Sequence, residues 1–344
     1  MTSIDPTNLV AAARDIADNV LFPASIEVDR GGRVPESHWR RLAEAGLYGI
    51  AAPVEWGGPG LQLPAIVEIL ETLAGGCLAT AFTWVQHHGM LASLAASSNI
   101  ALRDEVLPAA ARGDVRGGVA YAGAVPVPPR MRADRVDAGW RLSGHAPFVS
   151  GWGVIDVLQV SAGDIASGDI VAGLIPAEAQ NGITAVEAVS LFAGGATQTV
   201  ALAIDGLVIP DDRIVSRVSR AQFMANQNFG SRLNATLPLG IAGRCIRLLE
   251  TLGHGGAATA LRANADGVRD RLDAGLADSS ALLAARADGA ELAVRAATAL
   301  VAATGGPALT STSTAQLLAR NATFMVVAAS RPELKELLVK RFSF

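Results

Sequence analysis

The stretch that decides the fold runs from Trp140 to Ser161 and reads WRLSGHAPFVSGWGVIDVLQVS. Its β-branched and aromatic residues are punctuated by glycine and proline, which is typical of short strands joined by tight turns. The sequences on both sides are instead rich in alanine and leucine at helical spacing. The stretch therefore predicts a β-rich centre between two helical blocks.

The period of the apolar residues divides the chain into three parts. Helical spacing dominates residues 1–115 and 216–344, whereas residues 116–215 alternate with a period close to two. The predicted strands are 117–122, 131–137, 139–143, 155–161, 169–175 and 198–208. We therefore predict a mostly α protein with an N-terminal helical domain at 1–115, a middle β-domain at 116–215 and a C-terminal helical domain at 216–344.

The composition limits the partners. Of the 344 residues, 50% are hydrophobic and only 17% are charged, and the net charge is −4. So few charges leave apolar surface that subunit interfaces would cover, which predicts a homodimer or homotetramer. No lysine or arginine run is interleaved with aromatic residues, so the composition argues against nucleic acid as a partner.

Cysteine usage and the N-terminus indicate the compartment. Cys77 and Cys245 are far apart, and no Cys-x-x-Cys pair suggests a disulfide framework or a bound metal. Residues 1–20 carry charges where a signal peptide needs an apolar core. Residues 72–102 lack charge, but Gln-His-His at 86–88 interrupts them, which favours buried helices over a membrane span. These features predict a cytoplasmic protein without a membrane segment.

Two adjacent histidines, His87 and His88, fall in one of these predicted helices. Neighbouring residues on a helix point about 100° apart, so the pair does not fit a shared metal ion. We expect one of them to pack in the core and the other to line a substrate cavity.

Four short segments carry a further pattern. They are the loop APVEWGGPG at 52–60, the turn FVSG at 148–151, the run VIPDDR at 208–213, and Gly305-Gly306 followed by Arg-Asn-Ala at 320–322. In this order, and with the predicted helix–sheet–helix layout, they resemble the acyl-CoA dehydrogenase superfamily. The resemblance implies a flavoprotein oxidoreductase with a middle β-barrel or sandwich and a C-terminal helical bundle. It also implies FAD as cofactor, an acyl thioester as substrate and a separate electron acceptor.

The resemblance also implies where the cofactor binds. The implied cofactor residues are Tyr121, Ala122, Phe148, Val149, Ser150, Gly151, Gly305 and Gly306. Phe148 would stack behind the flavin ring, and Ser150 would point its hydroxyl at the reactive nitrogen edge. The backbone at Tyr121 would line the pyrimidine side, although the family's Thr-Glu-Pro is absent there. The glycines at 305–306 would let the backbone approach the adenosine-diphosphate portion.

Structural alternatives remain open for two of these segments. The turn is also compatible with a plain β-turn in which Ser150 caps its own backbone. Gly305-Gly306 is also compatible with a loop that ends a helix.

The chain departs from the family at the catalytic base. In the commonest arrangement the glutamate lies nine residues after the arginine that corresponds to Arg320, which here is Ala329. The family's alternative position for the base corresponds to Gly230 or Ser231. Neither of the two base positions therefore holds a carboxylate in this chain. The nearest carboxylate, Glu333, completes a Ser-x-x-Glu pattern typical of a capping box, which favours a structural role. The catalytic residue is therefore left unassigned.

These departures leave three hypotheses. The first is an acyl-CoA dehydrogenase-like enzyme whose base is displaced or comes from a partner subunit. The second is a two-component monooxygenase that takes reduced FAD, or FMN, from a flavin reductase. The third is a non-catalytic subunit of a hetero-oligomer.

A second departure concerns the segment Arg-x-x-Phe-Gly, through which the family binds the flavin diphosphate. Residues 247–275 lack this segment, although they contain Arg262, Arg269 and Arg271. We therefore expect weak binding of the flavin diphosphate.

Overall fold

The computed structural model describes residues 6–343 of the chain. It is mostly helical (60%), and its strands lie between Gly117 and Val218, which confirms the predicted fold class. No helix within the described residues is both long and apolar enough to cross a membrane.

From residue 6 to residue 112, the described N-terminal part has six α-helices. Their bounds are α1 Pro6–Ile16, α2 Phe22–Gly31, α3 Glu36–Glu44, α4 Leu63–Gly76, α5 Leu78–Ala95 and α6 Ile100–Arg112. A π-helical turn at Ala17–Leu21 joins α1 to α2. The ends follow local signals: the Asn99 side chain accepts a hydrogen bond from the Leu102 N–H at the start of α6, and left-handed Gly32 ends α2.

Eight strands form one mixed sheet. Their bounds are β1 Gly117–Ala120, β2 Met131–Val136, β3 Gly139–Val149, β4 Val157–Asp164, β5 Ile170–Pro176, β6 Ile183–Ala188, β7 Val200–Pro210 and β8 Ile214–Val218. The order is β6-β7-β3-β2-β4-β5-β8, with β1 parallel to β4. The sheet curls, which brings β5 close to β7 although they are not neighbours in the sheet. A Cβ added to Gly173 of β5 would lie 2.7 Å from the Ile209 side chain of β7. The division into domains stays a prediction, and β8 runs across the boundary predicted at 215.

The C-terminal part consists of five helices. Their bounds are α7 Arg220–Thr251, α8 Gly255–Ala274, α9 Ser279–Thr304, α10 Thr314–Val327 and α11 Pro332–Phe342. The Ser219 hydroxyl accepts a hydrogen bond from the Gln222 N–H to start α7, and the Asp278 carboxylate caps α9. Apolar residues of the N-terminal and C-terminal helices share one continuous core. The two helical parts therefore depend on each other for burial.

Helices α4 and α7 approach each other through glycines. A Cβ added to Gly75 would lie 2.8 Å from the carbonyl oxygen of Gly240, and one added to Gly240 would lie 2.2 Å from the carbonyl oxygen of Glu71. The two backbones are therefore nearly in contact, which leaves no space for a side chain at the crossing. This contact fixes the position of α7, the helix that forms one wall of the cavity described next.

Candidate functional site

The candidate site is a cavity of about 410 Å³ between the sheet and helices α5 and α7. Its size falls within the usual range for small-molecule sites. The sheet side is formed by β1, β4 and β8, from which alternate residues point into the cavity. The residues on this side are Val119, Tyr121, Gln159, Ser161, Ser216 and Val218.

The helices line the cavity at three- and four-residue intervals, as one face of a helix does. From α5 the lining residues are Val85, Gln86, Gly89, Ala92, Ser93 and the adjoining Ala96. From α7 they are Phe223, Asn226, Gln227, Phe229, Gly230, Ser231, Leu233 and Asn234. Arg286 of α9, and Ala329 and Arg331 between α10 and α11, complete the lining.

Both positions at which the resemblance places a base lie on this one cavity. Ala329 lines it from the C-terminal side, and Gly230 and Ser231 line it from α7. The described lining contains no aspartate or glutamate. Glu333 is exposed on the first turn of α11 and does not reach the cavity lining.

The capping-box interpretation of Glu333 is wrong in detail. The residue that precedes α11 is Arg331, and it makes no side-chain cap hydrogen bond. The hydroxyl of Ser330 donates instead to the carbonyl oxygen of Arg331, at 3.4 Å. Helix α11 begins at Pro332, whose fixed φ suits a first helical position.

Two arginines in the cavity were not predicted from the sequence. Arg286 is buried, and its Nη2 donates to the carbonyl oxygens of Ala328 and Ala329 at 2.8 and 3.0 Å. Burial lowers the pKa of Arg286 to about 10, opposed by Tyr121 and reinforced by the positive charge of Arg331. The sequence does hold a signal for Arg286, since it lies on the apolar face of α9. Arginine is rarely buried, so an arginine on such a face indicates a candidate functional residue. For Arg331 the sequence holds no such signal.

The turn predicted to face the flavin follows directly from β3. Val149 and Ser150 are buried, whereas the Phe148 side chain is 60% exposed. Gly151 has φ +87, and a Cβ there would lie 3.0 Å from both Ile155 and Thr83. The turn therefore requires glycine, and it presents an uncovered aromatic ring.

Ser150 belongs to a chain of hydroxyls rather than capping its own backbone. Its Oγ lies 2.7 Å from Oγ1 of Thr199, which lies 2.7 Å from Oγ1 of Thr197. Thr197 donates its single proton to the carbonyl oxygen of Gly194. It must therefore accept from Thr199, which in turn accepts from Ser150. Ser150 is left with lone pairs only, so its hydroxyl is free to accept a hydrogen bond but not to donate one.

The other cofactor residues implied by the resemblance are more dispersed. Tyr121 lies on the cavity lining, and Ala122 next to it is exposed. Gly305 and Gly306 are exposed at the end of α9, where Gly305 has φ +69 and ψ −147, a conformation that glycine alone adopts readily. A Cβ added at either glycine would meet no atom within 4 Å, which leaves space for a ligand. The assignment of these residues to a cofactor remains a prediction.

The arginines near the missing diphosphate segment are engaged within the chain. Arg262 pairs with Glu250, Arg269 with Glu71 and Asp266, and Arg271 with Asp288. Each of these ion pairs would have to be broken or shared before the guanidinium bound a phosphate.

The histidine pair is buried and does not line the cavity. His87 Nδ1 accepts a hydrogen bond from the Gly117 N–H at 3.0 Å, and burial lowers the pKa of His87 to about 3. Burial also places the pKa of His88 well below its ordinary value. The expectation that one of the two lines the cavity is wrong, since the neighbouring Gln86 and Gly89 do so instead.

Acid should therefore destabilise the fold. The pKa of His87 is lower in the folded chain, about 3, than its ordinary value of 6.5, so the unfolded chain binds more protons between these values. Stability is then complete above pH 6.5 and is lost as the pH falls. His87 alone should lower the free energy of unfolding by about 2 kcal/mol between pH 7 and pH 5.

Urea unfolding at several pH values measures this effect. The dependence on pH should be flatter in His87→Gln than in the unmodified chain. Equal stability of the unmodified chain at pH 7 and pH 5 would contradict the neutral, buried state of the pair.

Sequence comparison connects this architecture to known proteins. The profile of the acyl-CoA dehydrogenase N-terminal domain matches residues 5–114. The chain is 26% identical over 246 residues to the 2-methylacyl-CoA dehydrogenase of Solanum tuberosum mitochondria. That alignment covers 68% of this chain and 59% of the relative, so the chain matches about three fifths of the relative's length.

Comparison with solved structures shows the same fold over nearly the whole chain. A glutaryl-CoA dehydrogenase from Mycobacterium smegmatis, in complex with FADH2, superposes with a TM-score of 0.84 at 16% identity, covering 99% of this chain and 95% of that one. A nitrososynthase from Micromonospora carbonacea var. africana gives 0.81 at 20% identity, covering 98% and 96%. FMN, the alternative cofactor, finds no support in these comparisons.

The residues of this chain fit a flat aromatic cofactor. Phe148 is an uncovered aromatic ring on an otherwise buried turn, and the adjacent Ser150 Oγ has an acceptor site left over. The matched N-terminal domain at residues 5–114 and the aligned relatives confirm the resemblance of the chain to the acyl-CoA dehydrogenase superfamily.

Proposed function

We propose that this protein is a flavin-dependent oxidoreductase that oxidises an acyl thioester in the cavity between α5 and α7. The observation that carries the proposal is the convergence of Ala329 with Gly230 and Ser231 on one cavity of substrate size. These are the positions that the resemblance assigns to a base beside the substrate. The enzyme would use FAD, pass electrons to a separate acceptor and work in the cytoplasm as a homodimer or homotetramer.

The residues of the chain then have defined tasks. FAD, when bound, supplies the acceptor for a hydride from the acyl chain. Phe148 provides the apolar surface for one face of the ring, and Ser150 accepts a hydrogen bond at the ring's edge. Helices α5 and α7 cover the acyl chain and exclude water from it, which strengthens polar interactions inside the cavity.

Proton removal is the step that the described cavity leaves open. Its lining holds no carboxylate, so a carboxylate that takes the α-proton would have to come from outside the lining, for example from a second subunit. A missing positioned base lowers a rate by roughly 10²–10⁴. We therefore expect slow oxidation by the isolated chain.

An anaerobic titration tests the proposal. The FAD-loaded protein is mixed with acyl-CoAs of increasing chain length while the visible flavin band is followed. The proposal predicts slow, substrate-dependent bleaching of that band. A stable, colourless oligomer that retains neither oxidised nor reduced FAD would instead favour a non-catalytic subunit, and a yellow protein that no acyl-CoA bleaches would contradict thioester oxidation.

The same cavity favours a second candidate, a two-component monooxygenase. Such an enzyme needs no carboxylate at Ala329, and the engaged Arg262, Arg269 and Arg271 suit a flavin that binds and leaves. A nitrososynthase shares the fold. With a flavin reductase, NADH and FAD, this candidate predicts substrate-dependent oxygen uptake coupled to an oxygenated product. Oxygen uptake that no substrate stimulates would count against it.

A further inference from the structure

Three arginines are buried within residues 6–343, and one of them has no carboxylate partner there. Arg232, Arg244 and Arg286 are 1%, 6% and 4% exposed. Arg232 forms an ion pair with Asp273, and Arg244 forms one with Asp18. Arg286 has no acidic partner among the described residues. A buried cation without a counter-charge is unfavourable, so the partner of Arg286 has to come from elsewhere.

The hydrogen bonds of Arg286 use only part of its guanidinium. Nη2 donates to the carbonyl oxygens of Ala328 and Ala329, which holds the backbone between α10 and α11. Nε and Nη1 have no partner among the described residues, and Arg286 lines the cavity. One nitrogen thus has a structural role, and the other two remain free to donate to a ligand.

A second arginine shares the cavity. Arg331 is half-buried, and its Nη2 donates to the hydroxyl of Ser231 at 3.3 Å. It also forms no ion pair within the described chain. Arg286 and Arg331 are the charged residues of the described lining, so the cavity carries two positive charges and no negative one.

We propose that the cavity binds an acyl group that itself ends in a carboxylate, with Arg331 and Arg286 as the residues that pair with it. A guanidinium matches a carboxylate with two parallel hydrogen bonds, which an uncharged acyl end does not offer. The ligand class is therefore an ω-carboxyacyl thioester. This inference rests on the proposed function, since it takes the thioester as the carrier of the acyl group.

Equilibrium binding tests the inference without requiring turnover. The FAD-loaded protein is titrated calorimetrically with an ω-carboxyacyl-CoA and with the uncharged acyl-CoA of the same chain length. Because both ligands carry the same CoA phosphates, the ratio of the two affinities reports the acyl end alone. We expect the charged ligand to bind roughly 10- to 100-fold more tightly, because this is the factor in affinity that a hydrogen bond to a charged group contributes.

Variants of Arg331 locate the interaction. Arg331→Gln should lower the affinity ratio to the part that Arg286 supplies, and Arg331→Lys, which keeps the charge, should retain more of the preference. Arg30→Gln removes an exposed arginine outside the cavity lining and should leave the ratio unchanged. Arg286→Gln is the less informative variant, because it also releases the backbone at Ala328 and Ala329.

The outcomes separate this inference from the proposed function. Equal or tighter binding of the uncharged ligand, or an unchanged ratio in Arg331→Gln, would overturn the inference even if acyl-CoA bleaches the flavin. A preference for the charged ligand that depends on Arg331 would support it even if no thioester bleaches the flavin, in which case only the proposed oxidation would fail.

Discussion

Replacing Ala329 with glutamate is expected to increase the rate of anaerobic flavin reduction by acyl-CoA roughly 10²–10⁴-fold, the usual contribution of a positioned general base. Ala329 lines the cavity and is the position to which the resemblance assigns the base. Its backbone already has φ +48, so glutamate would adopt the strained conformation that alanine adopts now. Stopped-flow absorbance under anaerobic conditions measures the rate.

The matched control is Ala329→Gln, which has the same shape but takes no proton. Its rate should stay at that of the unmodified chain. Because Arg331 and Arg286 stabilise the charged form of a nearby carboxylate, the new glutamate should be a weakened base. Ala329→Glu combined with Arg331→Gln should therefore be faster than Ala329→Glu alone. Equal rates for Ala329→Glu and Ala329→Gln would show that no substrate α-carbon lies near position 329.

The second large effect concerns the crossing of α4 and α7. Gly240→Ala is expected to lower the free energy of unfolding by about 3 kcal/mol, at the upper end of overpacking costs. The added Cβ would lie 2.2 Å from the backbone oxygen of Glu71 and 2.7 Å from Cβ of Ala74, so one helix has to move. Urea denaturation followed by circular dichroism gives the change.

Gly243→Ala, three residues along the same helix, is the control. A Cβ there has its nearest neighbour at 4.0 Å, a carboxylate oxygen of Glu71. This substitution should stabilise the protein by about 0.5–1 kcal/mol, because alanine favours helix over glycine. If both variants had the same stability, the close approach of the two helices would be wrong.

Local signals in the sequence predicted the helices well. Apolar spacing predicts helices at 77–97 and 101–112 from the sequence alone. They correspond to α5 at Leu78–Ala95 and α6 at Ile100–Arg112. Their ends depend on caps and glycines, which act over a few residues. The apolar spacing of each helix then specifies which face is buried.

The strands were predicted less completely. The prediction ended a strand at 143, whereas β3 continues to Val149, because Gly144 at φ +139 and a bulge after Leu142 bend the strand without ending it. Strand β6 was missed because most of its side chains are half-buried or exposed and show no clear apolar alternation. Pairing with β7 rather than its own pattern keeps it in the sheet.

For the site, the motifs predicted the positions that lack a catalytic base better than the charged residues that line the cavity. Counting from Arg320 located Ala329 on the cavity, together with Gly230 and Ser231, although these positions are about a hundred residues apart in the sequence. The two cavity arginines depend on how α9 and the α10–α11 segment pack against α7, which no local pattern specifies. The exposure of Phe148 and the hydroxyl chain from Ser150 likewise depend on tertiary structure.

The most direct test is a crystal structure of the protein with FAD and a non-oxidisable analogue of an ω-carboxyacyl-CoA. We expect the flavin against Phe148, the acyl chain between α5 and α7, and the terminal carboxylate of that chain within hydrogen-bond distance of Arg331. An analogue bound elsewhere, with the cavity filled by the protein's own side chains, would contradict this expectation.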